Sequence, residues 1–136
     1  MSKVSTYYKG DCQLETVMGN HKLIVDMPES MGGKNRGPMP PQLFAASLGS
    51  CVGVLITDFC HKHNLNPDGL EVHATYEMAN HPIRISQIKV DIKLPHVTCD
   101  DECTKKAIMH VAEHCPVHET ICSMEDIELN IHVGNE

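Results

Sequence analysis

Between Arg36 and Asp58 the chain carries no formally charged side chain. The stretch opens on Gly37-Pro38-Met39-Pro40-Pro41, and prolines suit the first turn of a helix. A helix is predicted from about Pro41 to about His63, roughly 35 Å long at about 1.5 Å per residue. A helix whose first turns lack charge on every side is buried in a core rather than laid on a surface. Its apolar run, Leu43 to Ile56, falls short of a bilayer span of about 20 residues and is diluted by glycines and serines. Ala45, Gly49 and Gly53 recur at regular helical spacing and would let another backbone approach closely. Everything else in the chain therefore has to wrap this helix.

The remaining pattern supplies the wrapping. Leu14–Met18 and His21–Val25 flank Gly19-Asn20, a pair suited to a tight hairpin turn. Met27 to Pro41 is rich in Gly and Pro and reads as loop. Asn64 to Gly69 ends the long helix, and strands then alternate at Leu70–Met78 and Ile88–Leu94. Ile83 and Ile85 stand in the opposite phase to Ile88, which predicts a bulge or kink near Ser86-Gln87. A second helix is expected from about Asp100 to His114, and Pro116 should open a short third one with Cys115 as its N-cap. Ile127, Leu129, Ile131 and Val133 alternate like a last strand. Strands with one polar face, interrupted by a buried helix and a second helix, make an α+β fold of antiparallel sheets in two layers.

The 136 residues suffice for a single domain over residues 1–136. A net charge of −7, with no basic cluster, repels nucleic-acid backbones and anionic membrane surfaces, so neither is an expected partner. Aromatic residues are only 4%, so an oligomer interface is a plausible extra source of buried surface. Seven cysteines at irregular spacing, in a sequence beginning Met-Ser-Lys without an apolar leader, point to a soluble cytoplasmic protein with reduced thiols.

Two of those thiols have informative settings. Cys51 lies mid-helix on a face with Phe44, Leu48 and Leu55, where an apolar setting alone would keep it protonated and inert. It needs a cation to react, and Arg36, in the loop before its helix, is the nearest in sequence. Cys115 precedes Pro116, where the free N–H groups of a new helix would face its sulfur and lower its pKa. Two small buried hydrophobes is the plain alternative.

Gly37-Pro38-Met39-Pro40-Pro41-Gln42-Leu43-Phe44-Ala45-Ala46-Ser47-Leu48-Gly49-Ser50-Cys51 resembles the signature of the OsmC/Ohr family, and Cys115-Pro116-Val117 resembles its second half. The order of elements fits as well, so the resemblance spans nearly the whole chain. It implies the OsmC-like two-layer fold, an intertwined homodimer with its sites at the interface and a long central helix buried between subunits. It also implies a thiol peroxidase that reduces organic hydroperoxides without a cofactor. Cys51 would become a sulfenic acid, Cys115 would resolve it to a disulfide, and an external dithiol, lipoyl-type in some members, would reduce that disulfide. Arg36 and Gln42 are the activating candidates, and Phe44, Leu48 and Leu55 the candidate substrate pocket. The family usually carries a Glu that pairs an Arg where this chain has Pro41-Gln42; glutamine accepts a hydrogen bond but cannot hold an Arg by charge.

A different function class remains open: a non-catalytic or other redox domain of this fold that binds a small apolar or thiol-reactive ligand at the dimer interface. Ten histidines also invite a metal reading, with His110 and His114, Cys99 and Cys103, and Cys60-His61-Lys62-His63 as the clusters. The sequence has no Cys-x2-Cys pair and Pro116 turns the chain between His114 and His118, so no metal is expected.

Overall fold

The computed structural model describes residues 2–98 and 102–134. Three strands, β1 (Ser5–Gly10), β2 (Gln13–Met18) and β3 (His21–Val25), form an antiparallel sheet in sequence order. The long helix α1 (Pro40–Lys62) follows, then a second antiparallel pair, β4 (Glu71–Ala79) and β5 (Arg84–Lys93). Helices α2 (Glu102–Glu113) and α3 (Pro116–Ser123) complete the order. The α+β class, the hairpin at Gly19-Asn20, the long helix and the Pro116 helix stand as expected. The expected start of the second helix at Asp100, and Cys99 before it, lie outside the described residues.

The core forms on one side of α1. Leu48, Val52, Ile56 and Cys60 recur every four residues on that face and meet Ile108 and Ala112 of α2 and Cys115. Ile56 and Cys60 have no exposed surface, and a fully buried aliphatic side chain stabilises by about 1.5–3 kcal/mol. β4 and β5 add Val72, Ile88, Val90 and Ile92 from their inward positions. The opposite face is open: Val54 is 67% exposed. The helix is therefore not buried on every side within one chain, because β4, β5, α2 and α3 all pack on the same flank. By length and composition the full helix, unlike the run from Leu43 to Ile56, would reach across a membrane. Here it is a core helix on one face. The glycines do not serve as expected either. A methyl at Gly49 or Gly53 would meet only β4 side chains, Val72 and Ala74, at 3.6–3.9 Å, so no backbone comes close there.

The phase change in β5 resolves as a bulge. Glu77 pairs with Gln87 and Met78 with Ile85, leaving Ser86 without an opposite number, and its hydroxyl donates to the Glu77 carbonyl at 3.3 Å. The expected last strand does not form: the described residues after α3 hold no strand. Ile127, Leu129 and Ile131 are 76%, 90% and 82% exposed. Alternation prepares a strand, but a strand also needs a neighbouring edge to pair its backbone bonds, and among the described residues no such ladder includes Ile127, Leu129 or Ile131.

One buried carboxylate organises the loop between the first sheet and α1. Asp26, directly after β3, is 1% exposed. It accepts the Met27 N–H at 2.8 Å, the Arg36 N–H at 3.2 Å and the Arg36 Nε–H at 2.9 Å. Gly33 passes so close that a Cβ would overlap the Met27 carbonyl, and one at Gly37 would overlap the Ile24 carbonyl. The Asp26 N–H donates in turn to the Pro38 carbonyl at 3.2 Å, tying the sheet to the start of α1.

The Arg36 hydrogen bond, helped by backbone N–H groups and opposed by burial, lowers the Asp26 carboxyl from 3.8 to about 2. A carboxyl whose folded pKa lies below its unfolded one stabilises above the unfolded value and loses that contribution as pH falls through the folded one. Wild type should therefore exceed Asp26→Asn in stability by a constant margin above about pH 4, shrinking toward about pH 2, in urea melts across that range. A margin that does not change with pH would show that the Asp26 charge plays no part. Gly33→Ala should cost about 1–3 kcal/mol in the same melts, because the backbone must move aside for the methyl.

Candidate active site

Pro116 cannot continue α2, and it starts α3 with its ring already set for a first helical turn. Cys115 is thereby left in an extended conformation as the N-cap (φ −71°, ψ 149°). Its Sγ accepts the His118 N–H at 3.3 Å. The sulfur is fully buried, against the inner face of α1. Cys51, half-buried on α1, packs against the same cluster. Both are free thiols.

The two thiols share that packing and influence one another. Burial, first, pushes the Cys115 thiol above its ordinary value, and hydrogen bonding and charge from Cys51 push it the same way. The N–H groups of His118 and Val117 pull in the other direction and lose. The sequence expectation that the helix terminus would lower this pKa is thus corrected. The N–H groups do face the sulfur, but desolvation of a fully buried thiolate outweighs them. Cys60, equally buried at the far end of α1, is also raised by desolvation and has no such partner.

Beside the pair lies a cleft of about 620 Å³. Pro41, Phe44 and Leu48 of α1 form one wall, and the β5 bulge from Ile85 to Ile88 forms another. His118, Ile121 and Cys122 of α3 close the third side. Among the described residues, no lysine, arginine, aspartate or glutamate lines it. Leu48 precedes Cys51 by one helical turn and His118 follows Cys115 by one, so each thiol lies a turn away from a lining residue of the cleft. Its walls suit an uncharged, mostly apolar ligand.

The other sequence candidates fall elsewhere. Leu55 packs against the core and takes no part in the cleft. Gln42 uses its Oε1 to accept the Met39 N–H at 2.8 Å, capping α1, and lines a shallow groove against β4 instead. Arg36 is held by Asp26 at 2.9 Å and by Asp11 at 3.4 Å. Those two carboxylates raise its pKa, the Asp26 hydrogen bond most of all. No hydrogen bond joins Arg36 to Cys51 within the chain. The carboxylate missing beside Gln42 is thus supplied from the end of β3, which sequence reasoning overlooked; a lone Asp closing an apolar strand before a Gly-rich loop was the available signal.

Among the described residues, no group of three or more His, Cys, Asp and Glu side chains converges as a metal site would. His110 and His114 stack at 4.4 Å between ring centroids, and His114 Nδ1 meets Glu119 Oε1 at 2.8 Å. His118, first noted only as part of that cluster, turns out to belong to the cleft.

No curated protein matches the chain in sequence. Solved structures do match its fold. A candidate osmotic stress induced and detoxification response protein of Psychrobacter arcticus is 27% identical over 88% of each chain, with a TM-score of 0.78. An OsmC-like protein of Mycoplasma pneumoniae, 15% identical, covers 90% of this chain and 87% of its own at a TM-score of 0.74. The organic hydroperoxide resistance protein OhrB of Bacillus subtilis is 20% identical, covering 88% of this chain and 89% of its own, at a TM-score of 0.62. The model of the OsmC-like protein family matches residues 32–131, from the glycines packed around Asp26 to the end of the exposed C-terminal segment. With that match across most of its length, the chain belongs to the OsmC-like protein family.

Proposed function

We propose that the protein is a thiol-dependent peroxidase that reduces organic hydroperoxides. The observation that supports this reading best is the packing of Cys51 and Cys115 in one cluster, each a helical turn from a residue that lines an uncharged cleft. Family membership and the neighbours named for hydroperoxide resistance support it.

The chemistry follows from the unequal settings of the two thiols. Cys51, the more accessible, attacks the outer oxygen of the hydroperoxide as a thiolate. An S–O bond forms, the O–O bond breaks, and the departing alkoxide takes a proton to become the alcohol. Cys115, kept protonated by burial, then attacks the Cys51 sulfenic acid; its proton leaves with the hydroxyl as water while the S–S bond forms. An external dithiol, lipoyl-type in chemistry, restores both thiols by exchange. An alkyl group fills the apolar cleft and hydrogen peroxide does not, so organic substrates are preferred.

The working form is a soluble cytoplasmic homodimer. The open face of α1, the first sheet that packs little against the rest of its own chain, and the exposed Ile127–Ile131 segment all support a second copy as cover. Arg36, held rigid by Asp26, is the activating cation, brought to a thiol by assembly.

Reduced protein mixed with an equivalent of cumene hydroperoxide should lose both thiols together, and digestion should release a peptide pair joined through Cys51 and Cys115. Cys51→Ser should consume no peroxide, and Cys115→Ser should accumulate a sulfenic acid that dimedone traps at Cys51. Unchanged turnover in Cys51→Ser would end the reading. Light scattering should give twice the chain mass; a monomer that retains full turnover would remove the dimer from the proposal.

A further inference from the structure

An alkoxide is a strong base, and breaking an O–O bond to release one in an uncharged cleft needs a proton from nearby. The cleft walls offer few donors. Among the described residues no charged side chain lines it, Ser86 and Gln87 bear only weakly acidic protons, and the Cys122 thiol belongs to an exposed residue. The Cys115 thiol is fully buried behind α3. Imidazole is the side chain that most often moves protons near neutral pH, and the cleft contains one, His118.

Its placement fits that task. The His118 backbone N–H binds the Cys115 sulfur, which fixes this residue relative to the thiol pair. His118 lines the cleft together with Leu48, the residue one turn before Cys51. A peroxide with its alkyl group in the cleft and its outer oxygen at Cys51 puts the inner oxygen on the side of His118. Neither the metal clusters nor the core has any use for this ring.

We propose that His118 donates the proton to the alkoxide as the O–O bond breaks. Cys51 sulfur gains the hydroxyl, the inner oxygen leaves with the electron pair of the broken bond, and the imidazolium proton passes to it, giving the alcohol and neutral imidazole. Solvent returns the proton before the next turnover. This assignment rests on the peroxidase reading, and it gives α3 a second role: its first turn holds Cys115 through backbone and serves the substrate through a side chain.

The choice of leaving group tests it. An alkyl hydroperoxide releases a strongly basic alkoxide, whereas a peracid releases a carboxylate that departs without a proton. His118→Gln keeps the backbone bond to Cys115 and the size of the side chain but has no acidic proton to give. With tert-butyl hydroperoxide, kcat/KM should fall by about 100-fold or more, a typical loss for a missing general acid. With peracetic acid the same variant should stay within about threefold of wild type, since no proton is needed in that step. Equal losses on both substrates, or loss on neither, would overturn the assignment while leaving the peroxidase intact. Wild-type protein inert toward both substrates would overturn the peroxidase reading itself, and the assignment with it.

Discussion

The requirement to cover α1 governs this molecule. A helix with no charge for its first turns cannot face water on all sides, and one chain covers only the face built from Leu48, Val52, Ile56 and Cys60. That face gathers β4, β5, α2 and Cys115 around it, and the placing of Cys51 and Cys115 in one cluster is a by-product of the packing. Cys51 lies at the edge of the buried stripe rather than in it, so it keeps partial access. Moved one position toward Val52, a thiol would be sealed; moved toward Ser50, it would lose sight of Cys115.

Within that packing, two effects compete at Cys115. A helix N-terminus with aimed N–H groups favours a thiolate, typically by the strength of one or two charge-assisted hydrogen bonds. Full burial disfavours it, and full burial prevails. The outcome divides labour between the sulfurs. In the peroxidase proposed above, a thiol held protonated is a poor first nucleophile toward peroxide, yet it suits the later attack on a sulfenic acid, which needs both a sulfur and a proton. The cap therefore holds the sulfur in place more than it activates it.

Much of this was legible in the sequence where local chemistry decides. Missing charge marked α1, Gly19-Asn20 marked the hairpin, Pro116 marked α3 with Cys115 at its cap, and the phase slip between Ile85 and Ile88 marked a bulge that turned out to wall the cleft. What escaped depends on residues far apart in the chain. β1, Ser5 to Gly10, has little apolar alternation and is fixed by pairing with β2. Asp26 meets Arg36 across a loop whose path no local rule gives, so the carboxylate was sought beside Gln42 and lay at the end of β3. Ile127 to Ile131 shows the reverse failure: the alternation was plain, but a strand is a property of two paired edges, and among the described residues no strand forms there.

Those unfilled edges and the remote Arg36 have one physical origin. Apolar surface is left on α1 and on the C-terminal segment, while the first sheet is tied to the rest mainly through the Asp26 loop. A loop pinned this firmly transmits position: Asp26 holds the guanidinium by its Nε and its backbone N–H together, so Arg36 cannot swing independently of β3. Wherever the first sheet docks, Arg36 is delivered at a fixed offset from it.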